Sequence, residues 1–134
     1  MLTRRSATSM LASLVLATMV SAPALAGEPS FQTYTPAAFE AAKAAGKPIL
    51  VAIHAVWCGT CKIQRVILND LIKQPEFKDL VVLRVDFDDQ KEAVTGFGAD
   101  SQSTLIVYKG KTEITRTVGD TSGKRIEAML RSAI

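Results

Sequence analysis

Histidine, cysteine and tryptophan are scarce in this chain of 134 residues. The sequence has one histidine, one tryptophan and two cysteines. Zinc takes four ligands in a structural site, and only His54 can join the two cysteines, so the sequence offers no complete Cys/His zinc site. Blocks of like charge are also lacking, and the densest cluster is Asp86, Asp88 and Asp89. This charge pattern argues against a nucleic-acid partner and against a membrane-binding surface.

The first 26 residues have the pattern of a cleaved signal peptide. Arg4 and Arg5 form a short basic start, and residues 10–20 are apolar except for a serine and a threonine. Ala24-Leu25-Ala26 matches the small-residue cleavage site of exported proteins. The apolar run is too short for a permanent transmembrane helix. We therefore predict a signal peptide that directs export to the periplasm; the alternative is an uncleaved anchor.

Cleavage after the signal peptide leaves residues 27–134 as one predicted domain. Removing its two arginines leaves 14 basic and 13 acidic residues, so the net charge falls from +3 to +1. The remaining sequence has no internal repeat and no low-complexity tract, and its length suits a single domain. The periplasm is oxidising, and paired cysteines there tend to form disulfides. A protein that works as a reductant in that compartment needs an electron donor.

Strand-like and helix-like segments alternate along the predicted domain. Thr35 can cap a helix that starts at Pro36 and ends at Gly46. The apolar run 49–53 is typical of a strand buried on both faces. The next predicted helix covers residues 60–72 and carries Ile63, Val66, Ile67 and Leu71 on one side. A strand over 80–85 and a short helix capped by Asp88 or Asp89 follow it. The last predicted elements are strands over 104–108 and 113–118, joined by a four-residue connection, and a helix that starts at Asp120 or Thr121. This order predicts an α/β fold with a mixed β-sheet flanked by helices on both faces.

Cys58 and Cys61 lie two residues apart, directly after this apolar run. A C-x-x-C pair between a strand and a helix indicates a redox pair. The free N–H groups and the positive dipole end of the helix N-terminus stabilise a thiolate, which is the nucleophile in disulfide exchange. The alternatives are a structural disulfide, half of a zinc site, or a Cu(I) module built from the two thiolates with or without His54.

The predicted domain resembles the thioredoxin-fold family over nearly its whole length. The resemblance rests on Gly46-Lys47-Pro48-Ile49-Leu50-Val51, on Trp57-Cys58-Gly59-Thr60-Cys61-Lys62, on Phe97-Gly98, and on Thr104-Leu105 with the following hairpin and helix. It implies a thioredoxin fold and a thiol–disulfide oxidoreductase that needs no cofactor and no bound metal. The Gly-Lys-Pro entry, the long helix and the Pro-Glu-Phe break are similar to exported domains such as the reducing C-terminal domain of DsbD-type carriers. Resemblance to that branch implies that the protein reduces the disulfides of its clients.

The resemblance also assigns roles to the residues of the motif. Cys58 is the attacking thiol, with a mildly lowered pKa and the greater exposure, and Cys61 is the buried resolving thiol that expels product from the mixed disulfide. Trp57 forms a flat wall beside the sulfurs or packs in the core, while Gly59 and Thr60 tune the pair. The implied partners are client protein disulfides and a membrane or periplasmic electron donor, and the protein is expected to be a monomer.

Two departures from the family lie on the strand before the motif. Ala52 stands six residues before Cys58, where thioredoxins usually carry a buried acid that relays a proton to the resolving thiol. His54 shares a strand face with Ala52, since alternate side chains point the same way. His54 is thus a candidate to stabilise the thiolate as a cation or to shuttle its proton. The alternative is a partly buried histidine that bonds to the backbone.

A third departure lies before the strand that faces the cysteines. Ser103 precedes Thr104-Leu105, where the family nearly always has a cis-proline. A cis bond before a residue other than proline costs about 2.5–4 kcal/mol. The Gln102–Ser103 bond is therefore either trans in a reshaped loop or held cis by its surroundings. This loop normally offers backbone groups to the substrate, and the Ser103 hydroxyl is a candidate to approach the Cys58 sulfur.

Overall fold

A computed structural model describes residues 29–134. The predicted signal peptide and its cleavage site lie outside the described residues. Within residues 29–134, none of the helices has the length and apolar character needed to cross a membrane. The elements in chain order are β1 Phe31–Thr33, α1 Pro36–Ala44, β2 Pro48–His54, α2 Gly59–Leu71, a 3₁₀ turn Pro75–Phe77, β3 Val81–Asp86, α3 Lys91–Gly96, β4 Thr104–Lys109, β5 Thr112–Val118 and α4 Gly123–Arg131.

The five strands form one mixed sheet in the order β1-β3-β2-β4-β5. Strands β1, β3 and β2 run parallel, whereas β4 is antiparallel to both β2 and β5. Strand β2 is central, and its residues 49–53 are all buried, as expected for a strand covered on both faces. The predicted mixed α/β sheet is therefore confirmed.

The helices cover the sheet in two layers of different composition. One layer joins α2 and α4 to the sheet through mainly aliphatic side chains, among them Leu68, Leu71, Ile126 and Leu130. The other layer joins α1 and α3 to the opposite face of the sheet. Its rings meet tilted or edge-on, with centroids 5.2–6.4 Å apart, and come from Tyr34, Phe39, Phe97 and Tyr108.

The ends of the helices show which sequence signals act as caps. The Thr35 hydroxyl accepts the N–H of Ala38 at 3.1 Å, and Pro36 opens α1 as predicted. The predicted cap of α3 is wrong, because Gln90 rather than Asp88 or Asp89 holds that position. The last helix also starts later than predicted, with Ser122 as its cap. The hairpin connection is shorter than predicted, because β4 runs to Lys109 and β5 starts at Thr112.

Helix α2 presents a different face to the core from the predicted one. Its buried residues are Cys61, Gln64, Leu68 and Leu71, which repeat at intervals of three and four residues. Of the residues predicted to form the apolar side, Leu71 is buried and Ile67 partly buried, but Ile63 and Val66 are exposed. Cys61 and the side-chain amide of Gln64 therefore share the packed face of α2.

Candidate active site

Cys58 and Cys61 lie at the N-terminus of α2 and are joined by a disulfide bond. Cys58 is the N-cap, with extended backbone angles (φ −84°, ψ 109°), and the N–H of Cys61 donates to its Sγ over 3.1 Å. On reduction, the same N–H group and the helix dipole would favour a thiolate at Cys58. The local sequence thus places one sulfur where a helix start can stabilise negative charge.

The exposures of the two cysteines differ from the prediction. Cys58 is 5% exposed and Cys61 is 7% exposed, so the prediction that Cys58 is clearly the more accessible sulfur is wrong for this oxidised state. Both pack with Ala55, and the partly buried side chain of Phe87, from the loop after β3, packs against this cluster. These apolar neighbours cover the disulfide, and a client must approach through the surrounding surface.

Trp57 lies beside the disulfide and is 58% exposed. Its indole Nε1–H donates to Asp88 Oδ2 at 2.7 Å, which ties the motif to the loop after β3. Of the two roles predicted for Trp57, the alternative of core packing is therefore wrong. Gly59 is exposed and Thr60 half-buried in the first turn of α2, next to Cys58. Together these residues form an open surface around a covered disulfide.

His54 ends β2 and accepts a hydrogen bond from Arg84 on β3. The Arg84 Nε–H donates to His54 Nε2 over 3.2 Å, so this nitrogen carries no proton. Burial, followed by the nearby Arg84, lowers the pKa of His54 from its ordinary value. The imidazole is therefore neutral at pH 7, and the structure opposes the predicted cationic role. The alternative of a backbone-bonded histidine also differs from the structure, because the partner is a side chain.

A cavity of about 180 Å³ lies beside Cys61. Ala52 and His54 both line it, as predicted for two residues on one strand face. Ala52 is paired in register with Arg84, which also lines the cavity. The position where the family usually has an acid thus opens onto a space that contains Cys61 and a cation.

Ser103 has a trans peptide bond before it and a left-handed backbone. Within residues 29–134 there is no cis peptide bond, and Ser103 is the one non-glycine residue with positive φ (+57°). Its hydroxyl donates to the carbonyl oxygen of Gln102 at 2.6 Å, so the hydroxyl proton is used within the loop. Thr104 is buried at the start of β4 and donates its own hydroxyl to Ser101 O at 2.7 Å. The reshaped trans loop is the alternative that the structure confirms.

Gln64 is a site residue that the sequence analysis missed. Its buried side-chain amide donates to Ser103 O at 3.1 Å and to Asp120 O at 2.9 Å. The Ser103 carbonyl also accepts the N–H of Gly119 at 2.9 Å. Gln64 lies three residues after Cys61, and a polar residue at this spacing on a packed helix face is the signal that identifies it. Helix α2 is thereby tied to the loop that replaces the cis-proline loop.

The copper alternative gains no support from the donor set. Within residues 29–134, no three or more His, Cys, Asp or Glu side chains are grouped so that they could hold a metal ion. The two sulfurs are bonded to each other, and Nε2 of His54 already accepts a hydrogen bond from Arg84.

Comparisons with known proteins agree with this geometry. The family model described as Thioredoxin matches residues 30–132. The thioredoxin of Alicyclobacillus acidocaldarius is 30% identical over 102 residues, which cover 76% of this chain and 96% of that protein. A Mycobacterium tuberculosis thioredoxin is 36% identical over 73 residues, or 54% of this chain and 62% of that one.

Solved structures give the same result. The crystal structure of Trxlp from Edwardsiella tarda EIB202 superposes with a TM-score of 0.74 at 42% identity, covering 75% of this chain and 98% of that one. Malassezia sympodialis thioredoxin, at 21% identity and a TM-score of 0.69, shares the fold. A C-x-x-C disulfide at a helix start beside this mixed sheet defines a thiol–disulfide oxidoreductase. The chain belongs to the thioredoxin family, whose members act on protein disulfides.

Proposed function

We propose that this protein is an exported, monomeric reductase of protein disulfides in the periplasm. Reduced Cys58 attacks a client disulfide, and Cys61 resolves the mixed disulfide that results. A membrane or periplasmic donor then reduces the Cys58–Cys61 disulfide again. The sequence resemblance to the C-terminal domain of DsbD-type carriers favours this direction, and the signal-peptide pattern of residues 1–26 favours this compartment.

One observation carries the proposal of Cys58 as the nucleophile. Its sulfur caps α2 and accepts the N–H of Cys61 at 3.1 Å, whereas Cys61 lies inside the helix. Hydrogen bonds to a charged group favour the charged form, so Cys58 is the sulfur with the built-in thiolate stabilisation. Neither a histidine nor a proline lies between the cysteines, and we expect a moderate potential rather than that of a strong oxidant.

The surface around the disulfide suits an extended client segment. Val56 is 75% exposed and Trp57 is 58% exposed, and both directly precede Cys58. An apolar patch beside a reactive sulfur favours contact with the apolar side chains of a client chain. The 101–103 loop directly precedes Thr104, and its Ser103 carbonyl already accepts two hydrogen bonds within the protein. We therefore expect clients to rely more on side-chain contacts than on backbone pairing.

The reduction potential tests the direction. Equilibration of the purified protein with glutathione buffers should give a value between those of glutaredoxins and thioredoxin, about −200 to −270 mV. A value near −120 mV would place the protein with strong oxidants and contradict the reducing assignment. Insulin reduction in the presence of dithiothreitol gives the activity, and Cys58→Ser should abolish it. Cys61→Ser is the matched control, since it should still form mixed disulfides that are no longer resolved.

Export and oligomeric state need separate measurements. The full chain, produced in a Gram-negative host, should be recovered from the periplasmic fraction with Gly27 as its first residue. Retention in the cytoplasm, or a membrane-bound product with an intact N-terminus, would contradict this proposal. Sedimentation of the processed protein should give the mass of one chain.

A further inference from the structure

The cavity beside Cys61 has an unusual electrostatic lining. Its charged members are Arg84 on β3 and Lys62 and Arg65 on α2, while the other lining residues, except for His54 and Gln64, are apolar. Arg84 is half-buried in the wall, and Lys62 and Arg65 are exposed at the rim. Among these lining residues, all within the described part of the chain, there is no carboxylate.

The groups that face the cavity from each neighbouring element compensate this positive charge only in part, through the electrostatic interaction of Asp86 with Arg84 and His54. His54 on β2 accepts the Arg84 hydrogen bond, and burial, followed by the nearby Arg84, lowers its pKa. The carboxylate closest in register is Asp86, which pairs with His54 across β2 and β3. Its Oδ1 accepts the N–H groups of Asp88 and Asp89, both at 2.9 Å. Strand β4 contributes only Leu105.

We propose that the cationic cavity, with Arg84 as its principal charge, makes Cys61 a thiolate by electrostatic stabilisation and so replaces the missing carboxylate base. The inference rests on the proposed role of Cys61 as the resolving thiol. A cation close to a thiol favours the charged form, whereas a buried carboxylate in the same position would oppose it. Ala52, in register with Arg84, keeps this cation free of an acidic partner at that position. Arg84 is thus a positioning residue that acts on the reacting sulfur through its field.

The Cys61 thiol loses its proton to water, for which the cavity has room. The Cys61 thiolate attacks Cys58 Sγ in the mixed disulfide, the Cys58–Cys61 bond forms, and the bond from Cys58 to the client sulfur breaks. The client leaves as a thiolate and takes a proton from solvent. The dithiol has then given two electrons to the client disulfide and is oxidised.

A single-turnover experiment tests the proposal. Cys58 of the reduced protein is converted to a mixed disulfide with thionitrobenzoate, and release of the coloured thiol by Cys61 is followed against pH. The midpoint of the release rate should lie below the ordinary cysteine pKa of about 8.5. Arg84→Met should raise this midpoint by about one pH unit and slow release at pH 7 about tenfold, the effect of removing a nearby opposite charge. Arg84→Lys, which keeps the charge but not the planar fork, should restore most of the rate.

Two further variants guard against a purely structural effect. Arg84→Gln removes the same charge but keeps a polar side chain, and it should also raise the midpoint, whether or not Arg84→Met folds well. Lys111→Met removes a cation from the exposed turn between β4 and β5, away from the cavity, and should leave the midpoint unchanged. A wild-type midpoint at or above 8.5, or a midpoint that neither Arg84→Met nor Arg84→Gln moves, would overturn the proposal.

The outcome is separable from that of the proposed function. Failure to reduce insulin or any protein disulfide, with a low midpoint that responds to Arg84→Met, would contradict the reductase assignment alone. Insulin reduction with an unresponsive midpoint would contradict only the cationic cavity.

Discussion

The two helical layers of this protein differ in the side chains that they pack against the sheet. The α1/α3 layer packs around four aromatic rings and contains neither cysteine. The α2/α4 layer is mostly aliphatic, yet it also holds a buried amide, the cysteine pair at its edge and a cavity beside Cys61. Edge-on contacts between large rings stabilise the fold. The α2/α4 layer instead keeps polar groups and a cavity next to Cys61, where the chemistry requires them.

The largest expected effect is the loss of an aromatic ring from the α1/α3 layer. Phe39→Ala should lower the free energy of unfolding by about 3–5 kcal/mol, because it removes a ring with three aromatic neighbours. The reduction potential of the surviving folded protein should not change. Leu68→Ala is the matched variant in the α2/α4 layer, where Leu68 lines the cavity beside Cys61. It should lower the free energy of unfolding by about 2–5 kcal/mol and should also change the reduction potential. Equal shifts of potential in the two variants would remove the functional distinction between the layers.

The buried amide is the next test. Gln64→Leu keeps the side chain's size but removes the donors to Ser103 O and Asp120 O. We expect the free energy of unfolding, measured by chemical denaturation, to fall by about 1–3 kcal/mol, because the Asp120 carbonyl loses this donor. The KM for protein clients should rise more than kcat falls, since the 101–103 loop, to which the family resemblance assigns substrate contact, loosens. Gln64→Glu, which keeps the shape but replaces the amide donors, serves as a second probe of the same bonds.

A smaller effect is expected at the left-handed residue of the loop. Ser103→Gly fits φ of +57° without strain, whereas Ser103→Ala keeps the strain and loses the hydroxyl bond to Gln102. The glycine variant should therefore be more stable than the alanine variant by about 1 kcal/mol, measured by thermal unfolding. An alanine variant as stable as the glycine variant would show that the left-handed backbone is not strained.

The smallest effect is the dependence of stability on pH through His54. Its pKa is lowered in the folded state relative to the ordinary 6.5, so the unfolded chain binds the proton more readily. Stability should be complete above pH 6.5 and should decline as the pH falls through 6.5 toward the lower folded-state value. Thermal unfolding at pH 7.5 and 5.5 should show this decline, and His54→Gln should reduce it. An equal decline in both proteins would assign the effect to other groups.

Much of the fold was predictable because its signals are local. The cap at Thr35, the proline after it and the apolar run of β2 each act within a few residues. The position of the cysteine pair at a helix start follows from the same kind of pattern. The orientation of α2 was not predictable in this way, because two apolar residues, Ile63 and Val66, lie on its exposed side.

The details of the site depend on contacts between distant parts of the chain. Gln64 reaches Ser103 and Asp120, which are 39 and 56 residues away, and the hydrogen bond from Arg84 to His54 joins residues 30 positions apart. Periodicity carries no information about such pairs. The departure at Ser103 was visible in the sequence, but the choice between the trans and cis loops depends on the hydrogen bonds that surround it.

Trp57, which is held by its hydrogen bond to Asp88, is an intrinsic fluorescent probe of the site. Trp57 is the single tryptophan of the chain, lies next to Cys58 and is anchored by a bond of 2.7 Å. All indole fluorescence therefore comes from one ring whose surroundings include the disulfide. Reduction of the Cys58–Cys61 disulfide by a donor, or contact of a client with Trp57, can therefore be followed from the indole fluorescence without any attached label.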